Sequence, residues 1–520
     1  MQTFHIIVYG CQMNYSDSAR IKAVLSNCGR VQVDNIEQAD VVILDTCSVR
    51  EKSEDKVRGQ LQDLRKDQKV WLTGCMIQHN LNLKKMGTTI SKKLTKGNFM
   101  DAISSKEPTI IWLQELEQDA LLKQIAKEIA LKQGNRSGEL LYVNHAFDPL
   151  FKKMHTTYPN VELFFRINDT GFLPLMMKAL GYEVKGDVEL INEYSNIIPH
   201  DANMLMKSST KTAYVPISMG CSQFCAYCIV PYSRGLEKHR EVEEVMKEVA
   251  SHVENGAQEI VLIGQIVNKH PKFAEILRRV SDIQEVVRVR YTSPYPTFYN
   301  DEIFALHVER ENICPHIHIP LQSGSSKVLK KMFRGYNRQQ FEECITKIHA
   351  LGRPIALTSD IIVGFTDETE EDFIESLEVT KSSKFDMVYI GIYSPRPGTY
   401  GAKNYEDNVP QKIKKERRSR LNDLLIEISA NNNQKEIGTI RTMLINQIQD
   451  RAIIGYTDNM KNVIVETSSK KQETSRDGSI NHPPKSANQS FANPELVTGQ
   501  FIKVKIIRTE AFKLFGEIVE

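Results

Sequence analysis

The sequence predicts an α/β protein built from a Rossmann-like N-terminal domain, a central partial (β/α) barrel and a small antiparallel β-barrel at the C-terminus. Three observations support this prediction. Short β-branched runs alternate with helical patterns in residues 1–100 and again in residues 206–437, and residues 438–520 are rich in strand-like runs. Residues 101–205 show little order beyond an amphipathic helix at Glu117–Gln133, and we predict an insertion and linker of unknown role there.

In the N-terminal segment, each of three strand-like runs is followed by a cysteine. The runs are Phe4–Tyr9, Val41–Thr46 and Val70–Gly74, and the cysteines are Cys11, Cys47 and Cys75. Because ligands collect at the edge where the C-terminal ends of parallel strands meet, we expect the three thiols to converge there. The alternative is three unrelated core residues, since cysteine is often buried as a small apolar side chain.

The central segment repeats the strand and helix alternation of a parallel barrel, whose ligands bind at the C-terminal ends of the strands. After the first strand, Ala213–Ser218, the further strand candidates are Glu259–Gly264, Val286–Ser293, His316–Gly324, Thr358–Phe365 and Met387–Ser394. The clearest helices between them are Glu241–Asn255 and Arg338–Ala350.

The loop after that first strand contains Cys221, Cys225 and Cys228 in a Cys-x3-Cys-x2-Cys triplet. Three thiolates cannot complete a tetrahedral zinc site, but they can hold three irons of a 4Fe-4S cluster and leave the fourth iron open to a chelating ligand. Gly220 lets the loop wrap closely around a bulky group, and Tyr227 adds an aromatic face. A zinc loop with a distant fourth ligand is the alternative.

The C-terminal segment begins with a basic helix, Gln411–Ser429, which leads into a predicted five-stranded barrel. The strand-like runs are Ile440–Ile448, Val463–Glu466, Gln500–Thr509 and Lys513–Val519, and residues 467–494 have the composition of a disordered loop. Cationic residues crowd the helix and are candidates for contacts with RNA phosphate: Lys414, Lys415, Arg417, Arg418 and Arg420. A solvated helix face is the alternative. Tyr456 and Phe515 are candidates for stacking on RNA bases.

Composition limits the classes of protein that are possible. The chain has 67 basic and 65 acidic residues, so any nucleic-acid surface must be a local patch. Nine cysteines in a cluster pattern suit a reducing compartment. No apolar run approaches the roughly 20 residues of a membrane helix, and the N-terminus lacks the features of a signal peptide. We therefore expect a cytoplasmic monomer without a membrane segment.

Several motifs resemble the methylthiotransferases, a branch of the radical S-adenosylmethionine (SAM) enzymes. GCQMN around Cys11, TCSVREK around Cys47 and TGCMIQ around Cys75 resemble the N-terminal domain of that family, and the first two point to its tRNA-modifying MiaB type. IPLQSGSSKVLKKMFRGY and YSPRPGT extend the similarity through the barrel, and the C-terminal unit is similar to a TRAM domain, which binds RNA. The resemblance covers residues 1–95 and 208–520.

The resemblance implies two 4Fe-4S clusters with different tasks. At Cys221, Cys225 and Cys228, a reduced cluster would bind SAM and cleave it to methionine and a 5′-deoxyadenosyl radical. At Cys11, Cys47 and Cys75, an auxiliary cluster would carry the sulfur that is inserted, and a second SAM would methylate that sulfur. The substrate would be N6-isopentenyladenosine on the 3′ side of the anticodon, within the anticodon stem-loop of tRNA, and the product its 2-methylthio derivative.

Other residues at the strand ends are candidates for binding SAM or substrate. They are Tyr227, Gly264, Gln265, Gln322, Ser323, Arg334 and Asp360. A simple glycine turn at Gly264 and a surface arginine at Arg334 are the alternatives. Expected protein partners are an electron donor such as flavodoxin or ferredoxin, and iron–sulfur assembly or sulfur-donor proteins.

Two other functions stay open at this point. The same chemistry could act on threonylcarbamoyladenosine of tRNA or on an aspartate of a ribosomal protein, although GCQMN, TCSVREK and YSPRPGT argue against both. A non-catalytic RNA-binding metalloprotein is the alternative from a different class.

Overall fold

The computed structural model describes residues 2–47, 51–65, 68–77, 109–113, 141–144, 161–180, 182–185, 211–466 and 496–519. The predicted helix at Glu117–Gln133 and the predicted loop at residues 467–494 lie outside these ranges. Among the described residues, no helix has the length and apolar character needed to cross a lipid bilayer.

The N-terminal domain is a sheet of seven strands in the order β2-β1-β3-β4-β7-β5-β6. The strands are β1 (Thr3–Val8), β2 (Val31–Gln32), β3 (Val41–Thr46), β4 (Lys69–Gly74), β5 (Thr109–Leu113), β6 (Leu141–Asn144) and β7 (Val161–Phe164). The helices are α1 (Gln12–Asn27), α2 (Glu51–Asp63) and α3 (Leu173–Ala179). Strands β1, β3 and β4 are mutually parallel, as the Rossmann-like prediction requires.

The predicted domain boundary at residue 100 is corrected by β7. This strand pairs in parallel with β4, and α3 packs with α1 over the same apolar core. Residues 161–180 therefore belong to the N-terminal domain and are not a separate insertion. Sequence patterns did not reveal this because a four-residue strand carries too few residues to show a period.

The central domain contains two parallel three-stranded sheets in the orders β12-β11-β8 and β13-β14-β15. Their strands are β8 (Thr212–Pro216), β11 (Glu259–Ile263), β12 (Arg288–Tyr291), β13 (His316–His318), β14 (Ala356–Val363) and β15 (Met387–Ile392), and β9 (Ser218–Met219) pairs with β10 (Lys238–His239). A parallel bridge between Val289 and Ile313 links the two sheets into the predicted partial barrel.

Helices alternate with the strands of this barrel and follow its last strand. They are α4 (Val230–Arg234), α5 (Val242–Glu254), α6 (Phe273–Ser281), α7 (Asp301–Glu309), α8 (Ser326–Lys331), α9 (Arg338–His349), α10 (Glu370–Ser383), α11 (Tyr400–Asn404) and α12 (Gln411–Gln434). Local sequence explains where two of these helices begin. The Asn337 side chain accepts from the backbone of Gln340 at the start of α9, and Thr369 caps α10 in the same way through Asp372.

The C-terminal domain is a closed five-stranded barrel in the order β16-β17-β18-β20-β19. Its strands are β16 (Ile440–Gln449), β17 (Ala452–Thr457), β18 (Asn462–Glu466), β19 (Phe501–Glu510) and β20 (Lys513–Val519). The α/β fold class with this three-part architecture is confirmed. One detail differs from the prediction, because β18 and β20 pair in parallel and the barrel is not wholly antiparallel.

The predicted stacking residues of this barrel are both engaged in contacts within the protein. Tyr456 donates its hydroxyl hydrogen to Glu259 of β11 at 2.6 Å, so it belongs to the contact between the barrel and the central domain. Phe515 is 9% exposed and lies beneath the guanidinium of Arg508. Neither ring is available to an RNA base, and the prediction is wrong for both.

A buried ion pair fastens the N-terminal domain to the central domain. Arg20 of α1 donates two hydrogen bonds to Glu248 of α5, at 3.1 and 3.0 Å, and Arg240 donates a third at 2.5 Å. Burial disfavours the charge on Glu248, yet Arg20 and Arg240 together lower its pKa to about 2. Glu248 therefore stays ionised between two cations, and the two domains hold each other through it.

Replacing Glu248 by glutamine is expected to destabilise the chain by about 3–5 kcal/mol, because it leaves buried arginines without their counter-charge. Urea unfolding followed by circular dichroism measures this change. Glu243→Gln is the matched control, since its ion pair with Arg279 is exposed, and its unfolding midpoint should stay at the wild-type value. An equally stable Glu248→Gln protein would contradict this account of the interface.

The same pair predicts a pH dependence. Because the folded-state pKa of Glu248 is depressed to about 2, its contribution is complete above its ordinary value of about 4.3 and is lost as pH falls from there toward 2. The stability difference between wild type and Glu248→Gln should therefore shrink across that window. A difference that stays constant from pH 7 to pH 3 would argue against the ionised pair.

Candidate active site

The loop that carries the cysteine triplet is closed tightly on itself. Gly220 has φ +70°, and a Cβ there would lie 2.2 Å from the carbonyl oxygen of Leu236. The backbone N–H of Cys221 donates to the carbonyl of Gly235 at 3.0 Å. Only glycine fits both this conformation and this approach, so the entry of the loop is determined by Gly220.

Gly220→Ala is expected to reduce the iron bound at this loop, because the new methyl group must displace the backbone at Leu236. Iron content after anaerobic reconstitution measures the effect. Gly352→Ala is the control, since Gly352 has φ +72° but a Cβ added there would have no atom within 4 Å, so it shares the backbone strain without the clash. Equal iron in both variants would show that close approach at Gly220 does not matter.

The three thiols of the loop lie in a largely buried setting. Burial, followed by the neighbouring Cys225, raises the pKa of Cys228 to about 12, and burial also raises the pKa of Cys221. None of the nine cysteines, all of which the structure describes, takes part in a disulfide. Since the thiolate is the form that binds iron, a cluster would displace these protons on binding.

Arg334 lies directly against the triplet. Its Nη1 donates to the Sγ of Cys225 at 3.4 Å, and its guanidinium lies 4.6 Å from the ring centre of Tyr295 and 5.0 Å from that of Tyr336. A permanent positive charge therefore stands beside the sulfur atoms, held by two aromatic faces. The alternative of an ordinary surface arginine is excluded for this residue.

The other predicted binding residues lie at the strand ends around the loop. Tyr227 is half-buried in an apolar group that includes Ile362, and burial raises its pKa. Gly264 follows β11, where a Cβ would lie 2.4 Å from the hydroxyl of Ser218, and Gln265 beside it is half-buried. Gly264 therefore lies against the strand that leads into the triplet loop, and a contact of any of the three residues with SAM stays a prediction.

Gln322, Ser323 and Asp360 are tied to the ends of β13 and β14. Gln322 has φ +71° and exchanges backbone hydrogen bonds with Asp360 and Ile362 at 2.8 and 2.9 Å. The Ser323 hydroxyl is fully buried and accepts from the backbone of Ser325. Asp360 pairs with His318 at 3.0 Å. These contacts of Gln322 and Ser323 are structural, and a contact of either residue with SAM or substrate stays a prediction.

The second cysteine set lies at the C-terminal edge of β1, β3 and β4. Cys11 is the N-cap residue of α1, while Cys47 and Cys75 directly follow β3 and β4. Burial raises the pKa of Cys75, and the nearby thiols of Cys47 and Cys11 raise it further. Parallel pairing therefore gathers the three thiols as predicted from the strand ends.

A buried polar network supports this edge. The Asn14 amide donates to Asp45 at 2.8 Å and to the carbonyl of Thr46 at 3.2 Å, and its oxygen accepts from the backbone of Cys11. Ser18 also donates to Asp45, at 3.0 Å. Burial, followed by Asp17, raises the pKa of Asp45 well above its usual value. No sequence motif predicted a role for these residues, although an aspartate inside the apolar run VVILDT is an unusual feature.

Arg234 joins the two cysteine sets and was also missed. It is the last residue of α4, the helix that follows the triplet loop. Its Nε nevertheless donates to the Sγ of Cys75 at 3.1 Å, and its Nη2 pairs with Asp17 at 2.5 Å. No local pattern marks a residue whose partners lie in another domain, and only its position in CIVPYSRG, just after the triplet, could have drawn attention to it.

The prediction for the basic helix needs correction at two residues. Lys414 is fully buried, pairs with Asp407 and donates to the carbonyl of Tyr393 at 3.1 Å. Arg417 is 4% exposed and donates to Glu368 at 2.8 Å. Neither can reach phosphate, because both hold α12 against the barrel. Lys415 and Arg418 are exposed, and Arg420 is partly exposed but paired with Glu370.

Both cysteine sets have the chemistry of iron–sulfur ligands. Each offers three cysteine thiols outside any disulfide and, in the described residues, one arginine that donates to one of its sulfur atoms. Among the parts of the chain that the structure describes, no three His, Cys, Asp or Glu side chains are arranged to hold a single metal ion. A four-iron cluster makes a different demand, because its ligands stand around a cube and bind separate irons.

Comparisons with known proteins agree with this geometry. Residues 215–380 match the radical SAM superfamily, and residues 3–92 match the uncharacterized protein family UPF0004. A tRNA-2-methylthio-N(6)-dimethylallyladenosine synthase of Clostridium tetani is 33% identical over 527 residues, covering 99% of this chain and 96% of that relative. Synthases of the same name from a Thermoanaerobacter species and from Geobacillus kaustophilus are each 31% identical over 99% of this chain, covering 93% and 82% of those relatives.

The matches extend from the N-terminal cysteine edge through the triplet loop to the C-terminal barrel. Membership of the radical SAM superfamily brings with it a 4Fe-4S cluster and SAM, which suit the three thiols of the triplet loop. The identity is spread over nearly the whole length of both chains, so it does not rest on one shared domain. The chain therefore belongs to the tRNA-2-methylthio-N(6)-dimethylallyladenosine synthase family of radical SAM enzymes.

Proposed function

We propose that this protein inserts sulfur at carbon 2 of N6-isopentenyladenosine next to the anticodon of tRNA and methylates that sulfur, using two molecules of SAM. The observation that carries the proposal is the pair of separate cysteine trios, one at the strand ends of each of two domains, in a chain of this family. An aromatic C–H bond has no acidity that a side chain can use near neutral pH, so a radical route is required.

The two trios have different tasks in this proposal. When bound, the cluster at the triplet supplies the electron that cleaves SAM, and the cluster at the N-terminal edge supplies sulfur for insertion. Cys221, Cys225 and Cys228 bind three irons and leave one position open to the amino and carboxylate groups of SAM. Arg334 brings a positive charge that suits that carboxylate.

The N-terminal edge holds the sulfur-donating cluster by three thiols, and hydrogen bonds support two of the three cysteines. Asn14 orders the backbone at Cys11, and Arg234 donates to Cys75, so the ligands need little rearrangement. Asp45 accepts hydrogen bonds from Asn14 and Ser18 next to this edge, and burial raises its pKa. These residues bind and orient; the radical chemistry belongs to the bound groups.

The RNA is proposed to bind across the C-terminal edges of the two domains and the C-terminal barrel. Lys412, Lys415 and Arg418 are exposed on α12 and suit RNA phosphate. The target adenine must leave its stack to reach the cysteine trios. An electron donor of the flavodoxin or ferredoxin class, sulfur-donor or assembly proteins, a cytoplasmic location and a monomeric state complete the proposal.

Mass spectrometry of tRNA nucleosides from cells with and without the gene tests this function. We expect the 2-methylthio derivative of isopentenyladenosine to disappear without the gene, while isopentenyladenosine accumulates. Protein purified without oxygen should contain about eight irons and eight sulfides, four for each cluster. One or two zinc ions, or loss of a threonylcarbamoyladenosine derivative instead, would overturn the proposal in favour of one of its alternatives.

A further inference from the structure

The side chain of Arg234 makes its hydrogen bonds in the N-terminal domain, although its backbone belongs to the central domain. It lies six residues after Cys228, at the end of α4, and its side chain leaves the central domain to enter the N-terminal cysteine edge. The side chain is 8% exposed, and that of its partner Asp17 is fully buried. Burying an arginine is costly unless it is paired and hydrogen-bonded, so the pairing defines where it can stand.

The contacts orient the guanidinium group. Nη2 and Nη1 donate to the two carboxylate oxygens of Asp17, at 2.5 and 3.4 Å, and Nε then points its hydrogen at the Sγ of Cys75, 3.1 Å away. Two-point pairing with a carboxylate fixes the plane of an arginine, which lysine cannot reproduce. Asp17 therefore holds Arg234 in the one orientation that donates to Cys75.

We propose that Arg234 is a positioning residue, which sets the place and the reduction potential of the cluster held by Cys11, Cys47 and Cys75 and ties that cluster to the triplet loop. The proposal rests on the proposed function, because it takes both clusters as given. A donor to a ligand sulfur withdraws electron density from it, and a nearby positive charge stabilises the more negative, reduced state. Both effects raise the reduction potential.

The short segment from Cys228 to Arg234 connects the two cysteine sites directly along the chain. Cys228 binds the SAM-cleaving cluster, and six residues later Arg234 touches a ligand of the other cluster. A shift of the triplet loop therefore moves the contact to Cys75, and the separation of the two sites is set by one short segment. Without Arg234, the 5′-deoxyadenosyl radical should still form, but the cluster that donates sulfur should be out of position.

The experiment isolates the auxiliary cluster first. In a chain with Cys221→Ala, Cys225→Ala and Cys228→Ala, only the N-terminal edge can hold a cluster, and its midpoint potential is measured by redox titration with electron paramagnetic resonance. Arg234→Gln is expected to lower the potential, and Arg234→Lys to lower it less. Arg279→Gln, which removes an arginine from an exposed ion pair on α6, should leave it unchanged.

The second measurement uses the chain with all cysteines intact. The ratio of 5′-deoxyadenosine to methylthiolated product should rise about 10-fold or more in Arg234→Gln, by analogy with the usual effect of losing a residue that supports a metal ligand. Arg279→Gln should keep the wild-type ratio. A merely structural role of Arg234 would lower both products together and would not move the potential of the cluster that remains bound.

The possible results distinguish the role of Arg234 from the proposed function itself. An unchanged potential and an unchanged ratio in Arg234→Gln overturn the inference while leaving the proposed function intact. A wild-type protein that holds one cluster, or none, overturns the proposed function itself. If Arg234→Gln does not retain iron at the edge, Arg234→Lys is judged by the same two measurements. Loss of about four irons from both Arg234 variants, with full iron in Arg279→Gln, supports the placing role.

Discussion

Replacing Cys221 by alanine is expected to abolish the formation of 5′-deoxyadenosine from SAM. Cys221 is the first ligand of the triplet, and its backbone is fixed by Gly220 and by the carbonyl of Gly235. With two thiols left, the loop cannot hold three irons and keep the fourth open to SAM. Loss of a cluster ligand removes the electron path, so the expected loss of SAM cleavage is complete.

The measurement is chromatography of deoxyadenosine after anaerobic incubation with SAM and a strong reductant. Cys344→Ala is the matched control, because Cys344 is a buried cysteine of α9 that belongs to neither cysteine trio. It should keep wild-type cleavage. Deoxyadenosine production that persists in Cys221→Ala would show that the triplet does not hold the SAM-cleaving cluster.

Replacing Cys47 by alanine is expected to stop methylthio transfer while SAM cleavage continues. Cys47 follows β3 at the N-terminal edge, and its side chain contributes to the electrostatic setting of Cys75. Its loss leaves two thiols there, which cannot hold a cluster with one open iron, whereas the triplet loop in the other domain keeps all its ligands. Bound iron should fall from about eight to about four per chain.

Nucleoside mass spectrometry and deoxyadenosine assay, run on the same sample, separate the two activities. Cys28→Ala serves as the control, since Cys28 is fully buried in the core of the N-terminal domain and belongs to neither trio. That variant should form both products. Methylthiolated tRNA from Cys47→Ala, or loss of SAM cleavage with retention of four irons at the triplet, would refute the division of tasks between the two sites.

Much of the site was visible in the sequence because its residues are organised locally. The triplet is one loop, and each N-terminal cysteine follows its own strand, so spacing and strand pattern were enough to predict that Cys11, Cys47 and Cys75 share an edge. The fold class followed in the same way from alternating strands and helices. Both inferences use periods and positions within short windows, which local backbone geometry imposes.

Contacts between distant segments were not accessible in this way. The short strand β7 joins the N-terminal sheet only because β4 offers a free edge to it. Lys414 and Arg417 look like their exposed neighbours in sequence, yet acidic partners in other segments draw them inward. Tyr456 is an aromatic residue of the kind that stacks on bases, but its hydroxyl is committed to Glu259.

The amino-acid order by itself determined which chemistry this protein can perform, because ligand type and ligand spacing are properties of short stretches of chain. Only the tertiary structure decided how the two sites stand toward each other. Arg234 meets Cys75 and Asp17, and Arg20 meets Glu248, through the packing of one domain against another. Such pairings depend on which surfaces come together when apolar faces are buried, and no local pattern carries that information.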